Sequence, residues 1–176
     1  MQIRLATMAD VPALEQLIHH SVAELSVGFY TDAQIERALS HIFGVDTQLI
    51  LDETYFIAVI DHVIAGSGGW SKRNTLYGGD KLKSGELERL LDPATDAARL
   101  RAFYVHPQWS RRGVGSGVLT ECENAARLAG FRRIELVATL PGERLYAARG
   151  YERAEAMQLE TPNGEPLPAY RMTKLL

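Results

Sequence analysis

Residues 2–6 alternate polar and apolar side chains, the two-residue period of a half-buried strand. Asp10 and Pro12 then give a helix-start signal, and Val11, Leu14, Leu17, Ile18 and Val22 recur at helical spacing. A second amphipathic helix begins near Thr31, with Ile35, Ala38, Leu39 and Ile42 on one face and Gly44 just past its end. Two β-prone apolar runs, residues 55–60 and 63–68, follow, and Asp61-His62 between them predicts a hairpin.

Residues 71–98 break this regularity: they are polar, hold Gly78-Gly79 and a short helical pattern over residues 86–91, and read as an inserted excursion of a length that is usually functional. Residues 100–105 form the next strand, stopped by His106-Pro107. Residues 115–129 form a helix with Val118, Leu119, Ala125, Ala126 and Leu128 apolar and Gly130 at its end. A strand over 133–139, a short helix over 143–149 ended by Gly150, and two last strands flanking the turn signal Pro162-Asn163-Gly164 complete the chain. The order β-α-α-β-β-β-α-β-α-β-β predicts an α/β fold whose mixed sheet is mostly antiparallel, in one domain over residues 1–176.

Charge narrows the partners. Lys and Arg number 19 against 22 Asp and Glu, a formal charge of −3 and a pI near 6.0, without the basic footprint of a nucleic-acid binder. Any polyanion bound here is small, and no nucleic acid is expected. No segment approaches the ~20 apolar residues of a membrane span, and the N-terminus lacks the apolar core of a signal peptide. The single cysteine, Cys122, asks for no oxidising compartment, so a cytoplasmic location is expected, with no membrane association. Cys122 sits in an apolar helical pattern without a His/Asn constellation and reads as packing. His19, His20, His41, His62 and His106 show no ligand spacing, and no metal is expected.

The segment that carries chemistry runs from Phe103 to Gly117, FYVHPQWSRRGVGSG, a strand that passes through a glycine-rich, arginine-bearing turn into a helix. Glycines let the backbone approach a ligand and adopt positive φ, and the free N–H groups of a helix's first turn favour an anion. Arg111 and Arg112 add charge. The simplest alternative is a tight turn alone. A dinucleotide fingerprint is incomplete, because Gly113-Val114-Gly115-Ser116-Gly117-Val118 has valine at the third glycine position, although Glu135 falls where a ribose-binding acid belongs. A triphosphate loop is excluded, since no Gly-Lys-Ser/Thr ends the turn.

Ser110-Arg111-Arg112-Gly113-Val114-Gly115, preceded by Val105-His106-Pro107, resembles the pyrophosphate turn of the GNAT acetyltransferase superfamily, with Ser110 where that family usually has Arg or Gln. Leu145-Tyr146-Ala147-Ala148-Arg149-Gly150-Tyr151 is similar to the family's Leu/Phe-Tyr-x-x-x-Gly-Phe/Tyr stretch, and Thr139 stands where an Asn is common. The resemblance covers nearly the whole chain, with residues 71–98 as the insertion. It implies the GNAT fold, with a splayed parallel strand pair, here residues 100–105 and 133–139, and helices on both faces.

By the same resemblance the chain is an acyltransferase that moves acetyl from acetyl-CoA, its cosubstrate, to a primary amine. The backbones of Phe103 and Val105 bind pantetheine or polarise the thioester carbonyl, and Arg111, Arg112, Gly113, Val114, Gly115 and Ser116 hold the pyrophosphate. Tyr146 is implied as general acid, its phenol pKa near ~10 suited to a thiolate leaving group. Glu24 and Glu135 are candidates for the base. Glu24, Trp70 and Tyr77 are expected at the acceptor side, with Trp70 as an apolar wall, glycines 66, 68 and 69 leaving room for substrate, and Tyr77 with Gly78-Gly79 as a lid. The acceptor is expected to be a small molecule or peptide amine, and pairing of the terminal strands suggests a homodimer. Two alternatives stay open here: a non-catalytic acyl-CoA-binding module, and a nicotinamide-dependent oxidoreductase built on the incomplete glycine pattern.

Overall fold

The computed structural model describes residues 1–82, 88–162 and 164–176. In chain order the elements are β1 (Gln2–Leu5), α1 (Val11–Leu25), α2 (Asp32–His41), α3 (Thr47–Leu51), β2 (Tyr55–Ile60), β3 (Val63–Ser71), β4 (Ala98–Val105), α4 (Val114–Leu128), β5 (Arg133–Thr139), α5 (Glu143–Ala148), β6 (Glu152–Leu159) and β7 (Leu167–Leu175). The strands form one seven-stranded sheet in the order β1-β2-β3-β4-β5-β7-β6, antiparallel except for the parallel pair β4 and β5. Helices α1 to α3 cover one face and α4 and α5 the other, each burying its own apolar cluster against the sheet. Among the described residues no helix is long and apolar enough to cross a membrane.

Local chemistry sets the boundaries. The Asp10 carboxylate accepts the Thr7 N–H at 2.8 Å and both Arg4 guanidinium nitrogens at 2.9 and 2.7 Å, which ties β1 to the start of α1. Thr31 and Gln34 form a capping box at α2. Asp61 and His62 both take positive φ, 49° and 65°, the conformation a two-residue hairpin of the right twist requires, so β2 and β3 pair despite the missing glycine. Helix α3 is absent from the sequence prediction because five residues show no period; it is held by burial of Leu49 and Ile50.

Two expectations change. The excursion between β3 and β4 is closed at its base by a bridge of Arg73 with Leu90 and by the Leu91 N–H on the Lys72 carbonyl, so residues 88–91 are extended rather than helical; Glu86 and Leu87 lie outside the described residues. The β6–β7 connection spans residues 160–166, longer than a tight turn, and Asn163 lies outside the described residues.

The feature that positions the site is an irregularity in β4. Its register with β3 shifts so that Gly69 faces Arg101 while Ser67 faces Tyr104, which leaves Ala102 and Phe103 opposite the single residue Gly68. Ala102 has φ 52°, a left-handed conformation that is costly for a residue with a side chain. β4 pairs with β5 only over Ala98–Leu100, whereas β5 stays paired with β7 along its full length. Beyond the bulge, β4 and β5 part.

Glycines in β3 make this possible. A Cβ at Gly68 would fall 2.2 Å from Phe103 Cδ2 and 3.0 Å from Val118 Cγ1, and one at Gly66 would fall 2.6 Å from Val114 Cγ1. Gly68→Ala is therefore expected to destabilise the fold by about 1–3 kcal/mol through overpacking, read as a shift of the urea midpoint. An unchanged midpoint would show that Phe103 and α4 move freely.

Candidate active site

The His106 N–H bonds to the Ala65 carbonyl of β3, so strand alternation turns the main-chain groups of Val105 and Phe103 to the opposite edge, into the gap between β4 and β5. The Val105 N–H there is covered by Ser21 of α1, whose Oγ accepts it at 3.3 Å. Ser21 is 7% exposed. Sequence reading passed over it, yet it falls on the buried stripe Leu14, Leu17, Ile18, Ser21, Val22, where a polar residue marks a specific partner.

The turn after β4 is built as expected from glycine and arginine. A 3-10 turn (Pro107–Trp109) is capped by His106, whose Nδ1 accepts the Gln108 N–H, and the chain then takes positive φ at Arg111 (64°) and Gly113 (85°) before α4. The first N–H groups of α4, at Val114, Gly115 and Ser116, have no intrahelical acceptor by construction. Gly115 packs where a Cβ would lie 3.0 Å from Leu145 Cδ2 of α5 and 3.4 Å from Val105 Cγ2. Arg111 and Arg112 are exposed, and neither guanidinium has an ion pair or hydrogen bond among the described residues. Two arginines beside the N–H groups that open a helix are the make-up of an anion cradle.

Tyr146 closes the floor of the gap. Its ring meets Phe103 edge to face at 5.9 Å and Tyr151 at 5.7 Å, and burial, with smaller contributions from Cys122 and Tyr104, pushes its phenol above the ordinary value. Phe103, Val105, Gly115 and Tyr146 are thus brought to one place.

Trp70, Tyr77 and Glu135 are not brought there, and Glu24 lies only at its edge, beside the turn that follows β4. Trp70 is a core residue, 6% exposed, edge to face with Phe131 and opposite Leu100 where β4 and β5 are still paired, so it walls no groove. The glycines near it leave no room for substrate, since Phe103, Val114 and Leu49 fill that space. Tyr77 packs on the α1–α3 face, and the Gly79 N–H bonds to the Ile42 carbonyl, which pins the segment expected as a lid. Glu135 forms an ion pair with Arg99 in the closed part of the β4–β5 pair, which leaves it neither base nor ribose ligand. Glu24 is exposed in an open cavity of about 600 Å³ beside His20, His106, Pro107 and Gln108. Among the described residues no group of three or more His, Cys, Asp or Glu is arranged to hold a metal ion.

A parallel pair that splays beyond a bulge thus offers an unpaired strand edge next to a turn of free helix N–H groups and two exposed arginines. The profile of the acetyltransferase (GNAT) family matches residues 16–152, and the chain belongs to that family. Phosphinothricin N-acetyltransferase of Streptomyces viridochromogenes is 26% identical over 159 residues, covering 86% of this chain and 74% of that one. A GCN5-related N-acetyltransferase from Rhodopseudomonas palustris superposes with a TM-score of 0.72 at 19% identity, over 99% of this chain and 95% of its own. The PaiA N-acetyltransferase of Thermoplasma acidophilum, solved with coenzyme A, superposes at 0.66 and 15% identity over 99% and 98% of the two chains. The reaction is transfer of acetyl from acetyl-CoA to an amine, and the oxidoreductase reading falls away.

The imidazole beside the cradle gives a direct test of this geometry. Burial first, then His20 at 5.6 Å between ring centroids, lower the His106 pKa, while Glu24 opposes them. In an NMR titration His106 is expected to lose its proton below the ordinary ~6.5, with His20→Gln moving the midpoint up and Glu24→Gln moving it down. Midpoints that ignore both substitutions would place the two side chains elsewhere.

Proposed function

We propose that the chain acetylates a small-molecule primary amine by direct transfer, with acetyl-CoA in the gap between β4 and β5 and Tyr146 as general acid. The observation that carries this is the unpaired edge of β4 beyond the bulge, where Phe103 and Val105 offer main-chain hydrogen bonds to an extended pantetheine as an added strand would. Arg111, Arg112, Gly113, Val114, Gly115 and Ser116 hold the pyrophosphate. The relative that acts on phosphinothricin supports a small-molecule acceptor. Glu24, in its open cavity next to the end of β4, attracts a cationic amine to the mouth of the gap. The single buried thiol supports a cytoplasmic setting, and the exposed strand β6 at the sheet edge supports a homodimer.

In this mechanism the neutral amine attacks the thioester carbonyl, and the β4 N–H facing the gap holds the oxyanion as the C–S bond breaks. The departing thiolate takes the Tyr146 proton, and the proton released by the amine restores the phenol through solvent. Burial raises the Tyr146 pKa, which keeps the phenol protonated throughout the neutral range but makes it a weaker acid toward the thiolate than the free phenol expected from sequence. An alkylamine with a pKa near ~10.4 is mostly protonated at neutral pH, so the rate rises with pH as the reactive fraction grows.

Tyr146→Phe is expected to lower kcat by about 10²-fold or more with coenzyme Kd unchanged. Because the Tyr146 pKa is raised, the wild-type kcat profile should show no alkaline decline below about pH 10. Unchanged turnover in the variant removes the acid assignment, and absence of thiol release across a broad amine panel with coenzyme bound would make the chain a coenzyme-binding module instead. Ser21→Ala separates a placeholder from a ligand. Deleting the hydroxyl that covers Val105 N–H is expected to tighten coenzyme binding about two- to tenfold by calorimetry, the worth of one neutral hydrogen bond. Weaker binding would make Ser21 a contact of the coenzyme itself.

A further inference from the structure

We infer that a cavity on the far side of α5 is a subsite for an anionic group on the acceptor, so that the amines this enzyme takes are those that also carry a carboxylate or a comparable anion. The inference rests on the acetyl-transfer reading above and adds the acceptor's chemistry to it.

The cavity measures about 470 Å³ and is lined in part by Phe29, Leu140, Glu143, Arg144, Arg153 and Tyr170. Two guanidinium groups face one carboxylate, a local positive excess in a chain of net charge −3. Arg153 is held in place: its guanidinium carbon lies 3.9 Å over the Tyr170 ring and it pairs with Glu143, which offsets its charge. Arg144 is exposed and has neither an ion pair nor a hydrogen bond among the described residues. A fixed guanidinium beside an uncommitted one suits an anion that binds several N–H donors at once.

The placement links this cavity to the chemistry. Leu140 follows directly on Thr139, the last residue of β5 at the open end of the gap, and its N–H is held at 2.9 Å by Tyr30 Oη, which donates in turn to the Pro168 carbonyl at 2.7 Å. The same clamp seats the α1–α2 connection, so Phe29, 45% exposed, stands at the cavity edge. Arg144 and Tyr146 are two residues apart on α5, hence about 200° apart around it, so one short helix presents the phenol to the gap and the guanidinium to the cavity. A molecule reaching round the end of β5 would set its amine at the thioester and its anion on Arg144, with Phe29 and Leu140 against its methylenes. The phosphates of the coenzyme share this chemistry, and the test separates the two sources.

The test uses full-length protein and thiol release from acetyl-CoA with glycine, β-alanine and longer ω-amino acids, each against its own carboxamide. The acids are expected to exceed the amides by about tenfold in kcat/KM at the favoured chain length, and Arg144→Gln to abolish that preference through KM with coenzyme Kd unchanged. Equal rates for acid and amide at every length, or a preference that survives Arg144→Gln, overturns the subsite and leaves acetyl transfer standing. A coenzyme Kd weakened by Arg144→Gln for CoA but not for its 3′-dephospho form assigns the cavity to the coenzyme and equally overturns it. No thiol release from any amine, with coenzyme bound, overturns the transfer reading and this one together.

Discussion

Where β4 carries two residues, Ala102 and Phe103, against the single Gly68 of β3, the ladder slips and the strand turns out of the sheet. Almost everything functional follows from that local misfit. Three rungs of parallel pairing hold β4 to β5 below it, and above it the main-chain groups of Phe103 and Val105 have no strand partner on the β5 side. A left-handed residue that is not glycine costs of order 1 kcal/mol, and surrounding structure must hold it.

That surrounding structure is a charged one. Arg101, immediately before the bulge, is buried, and its guanidinium meets Asp46 at 3.0 Å and Glu88 at 3.5 Å; Glu88 also faces Arg73, which pairs with Asp52 at 2.7 Å. The series runs from the start of α3, through the excursion, to the end of β3, and so fixes β4 from the side opposite α4. Breaking such a buried pair by deleting one member typically costs ~3–5 kcal/mol, because the remaining charge is stranded. Tyr55 adds to this, its hydroxyl donating to the carbonyl of Ala102 itself at 3.3 Å. On the other face the Phe103 ring rests where Gly68 has no side chain and where Tyr146 meets it. The bulge is thus clamped by ions on the α1–α3 face and by aromatic packing on the α4–α5 face.

Two separate openings remain around the gap. One lies along α1 and the turn after β4, with Glu24, His20 and His106; the other lies beyond the end of β5, with Arg144 and Arg153. Glu24 gives the first a negative group and the two guanidiniums give the second a positive excess, a contrast that a chain of balanced composition does not reveal as a whole. Tyr30 joins the two sides, since its hydroxyl bridges Leu140 and Pro168 while its chain segment continues α1.

The alternating and helical periods placed every strand and all helices but α3, because periods of 2 and 3.6 are set by which face each element must bury. The cradle from Ser110 to Ser116 was legible for a related reason: positive φ, close backbone approach and helix-start N–H groups are local demands that glycine and arginine answer within a few residues. The splay of β4 from β5 was reached only through family likeness, and its cause lies in a register slip against a strand more than thirty residues earlier. Trp70 and Glu135 were misplaced because residue type does not say where along a strand the pairing closes. Ser21, Arg101 and Arg144 gained their meaning only from distant partners: a strand edge across from α1, two acids from separate loops, and a cavity assembled by α5, β6, β7 and two connections. Short-range chemistry can be read along a chain because the backbone enforces it, whereas burial, pairing and the charge of a cavity are set by neighbours in space, which only the folded arrangement supplies.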